Sequence, residues 1–231
     1  MPVLDQLTLK RPDALLVGER AGNGNHILLL HAGGETRAVW RPVMDALASR
    51  GFQSYAFDQR GHGESGGSTS DGLGAYGEDT KAMIGLMSRP LVVGASLGGF
   101  ALMVALETLE QQVSGLVLVD VTPTPDPERA RTYLSPRGLA ASPLVENILG
   151  QTERMAQIVR ALKLPILYVS AGARSPLGEE GRVQIRTLAA HAVIEIVPEA
   201  SHLVARDAPA RLANLIGDFA ARLNKPKASP P

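Results

Sequence analysis

Ser96 stands in Gly94-Ala95-Ser96-Leu97-Gly98-Gly99, behind a short apolar run, Leu91-Val92-Val93, and ahead of a helical pattern from Gly98 to Gln111. Strand, Gly-x-Ser-x-Gly turn and helix in that order describe a nucleophile elbow, in which a sharp turn lifts a serine hydroxyl clear of the sheet. Small residues at 94, 95, 98 and 99 let strand and helix close on one another. A hydroxyl needs a base before it attacks a carbonyl. Of the five histidines, His202 is best placed, because the loop Pro198–Ser201 delivers it past the end of an apolar run, Val193–Val197. Acyl transfer also needs donors for the developing oxyanion. The backbone N–H of Leu97 is one candidate. Gly33, in the loop His31-Ala32-Gly33-Gly34-Glu35, is the other, since two glycines allow a ligand close to the backbone.

These residues require a scaffold that brings loop ends together. Short apolar runs at Ile27–Leu30, Tyr55–Phe57, Leu91–Val93, Leu116–Val119, Ile166–Val169 and Val193–Val197 read as strands buried on both faces. Two further strands are expected near Leu7–Lys10 and Ala14–Glu19. Helical patterns alternate with them at Val39–Arg50, Tyr76–Met87, Gly98–Gln111, Glu153–Leu162, Gly181–His191 and Pro209–Leu223. The alternation predicts an α/β domain over residues 1–224, with a mostly parallel, doubly wound, eight-stranded sheet and helices on both faces. Sites in such sheets gather beyond the carboxyl ends of the strands, where Ser96, Gly33 and His202 all fall. Residues 122–152, rich in proline with one weak helical stretch near Glu128–Leu134, read as a short cap, and 225–231 as a frayed tail.

With these motifs in view, the chain resembles the α/β-hydrolase superfamily, in the group of haloperoxidase-like enzymes and small esterases. The likeness runs through His31-Ala-Gly-Gly34, Asp58-Gln-Arg-Gly-His-Gly-Glu-Ser65, Gly94-Ala-Ser-Leu-Gly-Gly99, Val119-Asp-Val-Thr-Pro123 and Ser201-His202. It implies Ser96 as nucleophile, His202 as base and the amides of Gly33 and Leu97 as oxyanion hole. By the same likeness His62, His31 and Trp40 are structural. Two departures stand out. Relatives commonly carry the third, acidic member of the triad in a Gly-x-x-Ser-Asp stretch, whereas this chain reads Gly172-Ala-Arg-Ser-Pro176, and proline accepts no imidazole proton. Asp120, ending the run after the nucleophile's helix, is the leading replacement; Glu179, Glu180 or no acid at all are the alternatives. The second departure is the reduced cap, which predicts an open, shallow site.

The expected activity is cleavage of a carboxylic ester, lactone or thioester. A non-hydrolytic binding protein with a degraded triad, or a C–C hydrolase or lyase, is the alternative. Lys plus Arg and Asp plus Glu number 23 each, which gives no reason to expect nucleic acid or an anionic membrane. The absence of cysteine removes disulfides and thiolate sites and fits a reducing cytoplasm; the first residues lack a signal-peptide pattern. No cofactor and no metal are expected, the histidines being scattered without ligand spacing. The expected partner is a small ester-like molecule, and a homodimer is compatible with the sequence.

Overall fold

In a computed structural model, the structure describes residues 3–223. The chain opens with β1 (Asp5–Lys10), β2 (Leu15–Gly22) and β3 (Asn25–Leu30), then a 3-10 turn (Arg37–Trp40), α1 (Arg41–Ala48) and β4 (Phe52–Phe57). It continues through α2 (Gly72–Ile84), β5 (Leu91–Ala95), α3 (Leu97–Leu109) and β6 (Gly115–Val119). Two short helices follow, α4 (Pro127–Leu134) and α5 (Pro143–Leu149). The chain then returns to alternation with α6 (Thr152–Ala161), β7 (Ile166–Ala171), α7 (Gly178–Leu188), β8 (Val193–Val197), α8 (Val204–Asp207) and α9 (Pro209–Leu223).

The eight strands form one sheet in the order β1-β2-β4-β3-β5-β6-β7-β8. The β1–β2 and β2–β4 pairings are antiparallel and all others parallel. Because side chains alternate across a strand, the central apolar runs feed two cores at once. Leu28, Leu30, Val92, Leu116 and Leu118 pack with α2, α3 and α6 on one face. Ile27, Leu29, Val93, Val117 and Val119 pack with α1 and α9 on the other. The period-four stripe of α9, with Leu212, Leu215, Ile216 and Phe219 buried, closes that second core. Each such side chain contributes roughly 1.5–3 kcal/mol by leaving water.

Two readings of the sequence need correction. The helix expected at Tyr76–Met87 starts earlier, at Gly72, and ends at Ile84, because Leu73, Tyr76, Thr80, Met83 and Ile84 form its buried stripe. The 122–152 segment holds a second helix, α5. Its signal was the Ser142-Pro143 pair: the Ser142 hydroxyl accepts the Val145 N–H (3.3 Å), and proline at the first helical position has no amide proton to satisfy. The expected tail at 225–231 lies outside the described residues.

Candidate active site

Ser96 joins β5 to α3 with φ +46° and ψ −111°, a backbone that ordinary residues avoid. The turn is forced by close approach. A Cβ on Gly94 would lie 2.5 Å from the Gly98 carbonyl carbon and the Gly99 nitrogen, and one on Gly98 would strike the Leu30 carbonyl. The Ser96 carbonyl accepts the N–H groups of Gly99 (2.9 Å) and Phe100 (3.1 Å), so the helix starts at once.

Parallel register sets Ala95 of β5 beside Val119 of β6, and Val119 beside Val169 of β7. Asp120 therefore emerges next to the elbow. It is fully buried and holds φ +47°. Its Oδ1 accepts the Ala171 N–H (2.8 Å). Its Oδ2 accepts both the His202 Nδ1–H (2.8 Å) and the Ser175 hydroxyl (2.6 Å). His202 comes from the loop after β8, as its spacing suggested. That loop is fixed by Gly172 N–H donating to the Ala200 carbonyl (3.0 Å) and by the Asp207 carboxylate, which accepts the N–H (2.9 Å) and hydroxyl of Ser201. A proton on Nδ1 leaves Nε2 unprotonated; this tautomer is assigned from the partner. The other two acids lie elsewhere. Glu179 pairs with Arg182 (2.8 Å) and Glu180 with Arg129 (2.6 Å), both exposed in the first turn of α7. Pro176 lines the cavity, and its neighbour Ser175 reaches Asp120.

The loop after β3 is braced from below. His31 is buried; its Nδ1–H donates to the Ala32 carbonyl (2.8 Å) and its Nε2 accepts the Gln59 N–H (3.0 Å). The neutral ring thus has both nitrogens satisfied, and a second proton would set two N–H groups against each other. Burial pushes the His31 imidazole down to about 4. Its folded value is below the unfolded 6.5, so the unfolded chain takes up the proton first as pH falls. Stability should therefore decline between about pH 6.5 and 4, by up to about 3 kcal/mol from this group. Urea titrations across that window check it, and His31→Gln should flatten the slope. Gly33, above this brace, lies beside Leu97: a Cβ on it would sit 3.8 Å from the Leu97 side chain.

Ser96, Leu97, Gly33, Asp120 and His202 all line one cavity of about 650 Å³. Its remaining walls are largely apolar, from Phe100 on α3, Ile148 on α5 and Leu177 beyond β7. Residues of the 122–152 segment, among them Tyr133 and Leu144, form part of its wall. Tyr133 of α4 sets its ring edge-on to His202, with centroids 4.9 Å apart, and the Arg137 guanidinium lies over that ring, 4.5 Å from its centroid. His202 is consequently only 8% exposed. Glu35 also lines the cavity, and burial raises its carboxyl above the usual range.

The structure brings Ser96, His202, Asp120, Gly33 and Leu97 to one place and sets Glu179 and Glu180 apart. Sequence reasoning missed Ser175 and Tyr133. Neither carries a motif; each matters through a contact made by a loop or by the 122–152 segment. Of the remaining residues, His62 bonds the Arg60 carbonyl (2.9 Å), and Trp40 is fully buried. Among the described residues no cluster of three or more His, Cys, Asp or Glu could hold a metal ion, and no helix is long and apolar enough to cross a membrane.

Comparison with known proteins agrees with this architecture. Residues 25–137 match the family model for the alpha/beta hydrolase fold, a span that includes Gly33, Ser96, Leu97 and Asp120 and stops short of His202. Protein phosphatase methylesterase 1 of Mus musculus is 33% identical over 118 residues, which are 47% of this chain and 31% of that protein. The pimeloyl-[acyl-carrier protein] methyl ester esterase of Edwardsiella ictaluri is 34% identical over 97 residues, 42% of this chain and 36% of that protein. The chain thus spans about a third of the length of these relatives. Among solved structures, a thermophilic esterase from Thermogutta terrifontis superposes with a TM-score of 0.76 at 20% identity, covering 96% of this chain and 100% of its own. Sheet order, elbow, family match and structural likeness agree on the alpha/beta hydrolase fold.

Proposed function

We propose that the chain is a serine hydrolase of small carboxylic esters, with Ser96 as nucleophile, His202 as general base and Asp120 as the acid that orients it. The observation that carries this reading is the 2.8 Å bond from His202 Nδ1 to a fully buried Asp120, in the cavity that Ser96 lines. A carboxylate on Nδ1 leaves Nε2 free to take the Ser96 proton as the oxygen attacks the ester carbonyl. The proton then passes to the leaving alkoxide, the C–O bond breaks, and an acyl-enzyme remains on Ser96. Water, deprotonated by the same imidazole, releases the acid. The Gly33 and Leu97 amides take the charge on the tetrahedral oxygen, each donor worth roughly 10²–10³ in rate. Segment 122–152 serves as the cap, and its apolar side chains take the acyl group. The two methyl-ester-cleaving relatives favour a small leaving alcohol. Lactones and thioesters suit the same geometry. A chain without cysteine fits the reducing cytoplasm, where we place the reaction.

A fluorophosphonate probe read by intact mass tests the proposal. The wild type should gain one adduct per chain, and Ser96→Ala none. Folded wild type that stays unlabelled over hours would sink the hydrolase reading and favour a binding protein with an idle site.

A further inference from the structure

We infer that Ser175 is a positioning residue that fixes and partly neutralises Asp120, in place of an acid on the loop after β7. The inference rests on the proposed roles of Asp120 and His202. The direction of the Ser175 hydroxyl is set on both sides. Its oxygen accepts the Leu177 N–H (3.0 Å), so its own proton is left for Asp120 Oδ2 at 2.6 Å. A short O–H···O bond to an ionised carboxylate is among the stronger kinds. The backbone holds Ser175 there: its N–H donates to the Gly172 carbonyl (3.0 Å), closing a tight turn.

Asp120 needs such a partner. It is wholly out of water, and an ionised carboxylate there must be met by donors. It has three: the Ala171 amide on Oδ1, and Ser175 with His202 on Oδ2. The amide alone pins one oxygen and leaves the carboxylate plane free to swing about it. Ser175 supplies the second fixed point, so Oδ2 stays where the imidazole meets it. The two loops are also tied to each other, by Gly172 N–H to the Ala200 carbonyl and by the Arg174 guanidinium to the Glu199 carbonyl (2.9 Å). Ser175 and His202 are thereby held in one frame.

Ser175→Ala should lower kcat about ten-fold, the scale of one lost hydrogen bond to a buried charge. KM should not change, because the hydroxyl acts on Asp120 and not on substrate. Ser175→Thr keeps the hydroxyl and should restore the rate.

The His202 Nδ1 proton, observed by NMR in wild type and both variants, makes the test independent of turnover. The expected result is a displaced resonance in Ser175→Ala and a wild-type position in Ser175→Thr. An active wild type whose Ser175→Ala variant keeps its rate and resonance overturns the inference and leaves the hydrolase reading standing. An inert wild type refutes the hydrolase reading, and the resonance still decides whether Ser175 holds the pair.

Discussion

Asp120→Asn should lower kcat about 10⁴-fold while leaving the fold and substrate affinity intact, the scale seen when a serine triad loses its acid. The reason is the tautomer. An amide can keep its oxygen on the Ala171 N–H, which turns its NH₂ toward His202. The imidazole must then accept at Nδ1, placing its proton on Nε2, where the Ser96 proton has to go. Asparagine also tolerates the positive φ of this position, so the variant tests chemistry without adding backbone strain. Glu179→Gln and Glu180→Gln lose only exposed ion pairs with Arg182 and Arg129 and should stay within about two-fold of wild type. Stopped-flow ester hydrolysis with single-turnover acylation would read all three. Wild-type rates in Asp120→Asn would make Asp120 a purely structural group.

The largest loss of stability should come from Asp58→Ala, at about 3–5 kcal/mol, the usual cost of leaving one partner of a buried ion pair alone. Asp58 is fully buried. Its Oδ1 accepts the Arg37 N–H (2.7 Å), and its Oδ2 takes the Arg37 guanidinium and the Glu64 N–H (2.9 Å). Arg37 is itself buried, so removing Asp58 leaves a cation with Glu64, which is mostly exposed, and Glu19 at 3.6 Å. Against a total of about 5–15 kcal/mol for a domain, this is a large fraction. The urea midpoint should drop with an unchanged m-value, and the melting temperature should fall by about 10 °C. A variant with wild-type midpoint would show that water or Glu19 replaces Asp58 at no cost.

The parts of this molecule that follow from local pattern were readable in its residues. Ile27–Leu30 and Leu116–Val119 are apolar at every position because both sheet faces are covered, and no half-buried strand would tolerate that. Gly94-x-Ser96-x-Gly98 announced a turn that only small flanking residues permit. The placement of His202 past the last strand was readable from its spacing. The carboxylate that meets His202 was not legible, because three lay at workable places along the chain and only folding shows that β6 ends beside the His202 loop. Ser175 was hidden for a related reason: a serine beside a proline looks like any turn, and its role exists only through contact with a residue 55 positions away. The second helix of the 122–152 segment is seven residues long, too short for periodicity to register, and its capping serine was the one usable sign.

On the roles proposed above, nucleophile and acid sit at the ends of adjacent strands joined by a single helix, inside one stretch of 30 residues from Leu91 to Asp120. Their base arrives from 82 positions further on, behind two more strands. As the chain is synthesised, a ribosome that has made β5, α3 and β6 has therefore made an elbow whose serine has no base. The pair forms only when β7 and β8 have joined the sheet and the loop at Ala200 has bonded to Gly172. Reactivity is thus a late event in the life of the nascent polypeptide, and a chain released early would carry the serine without the means to use it.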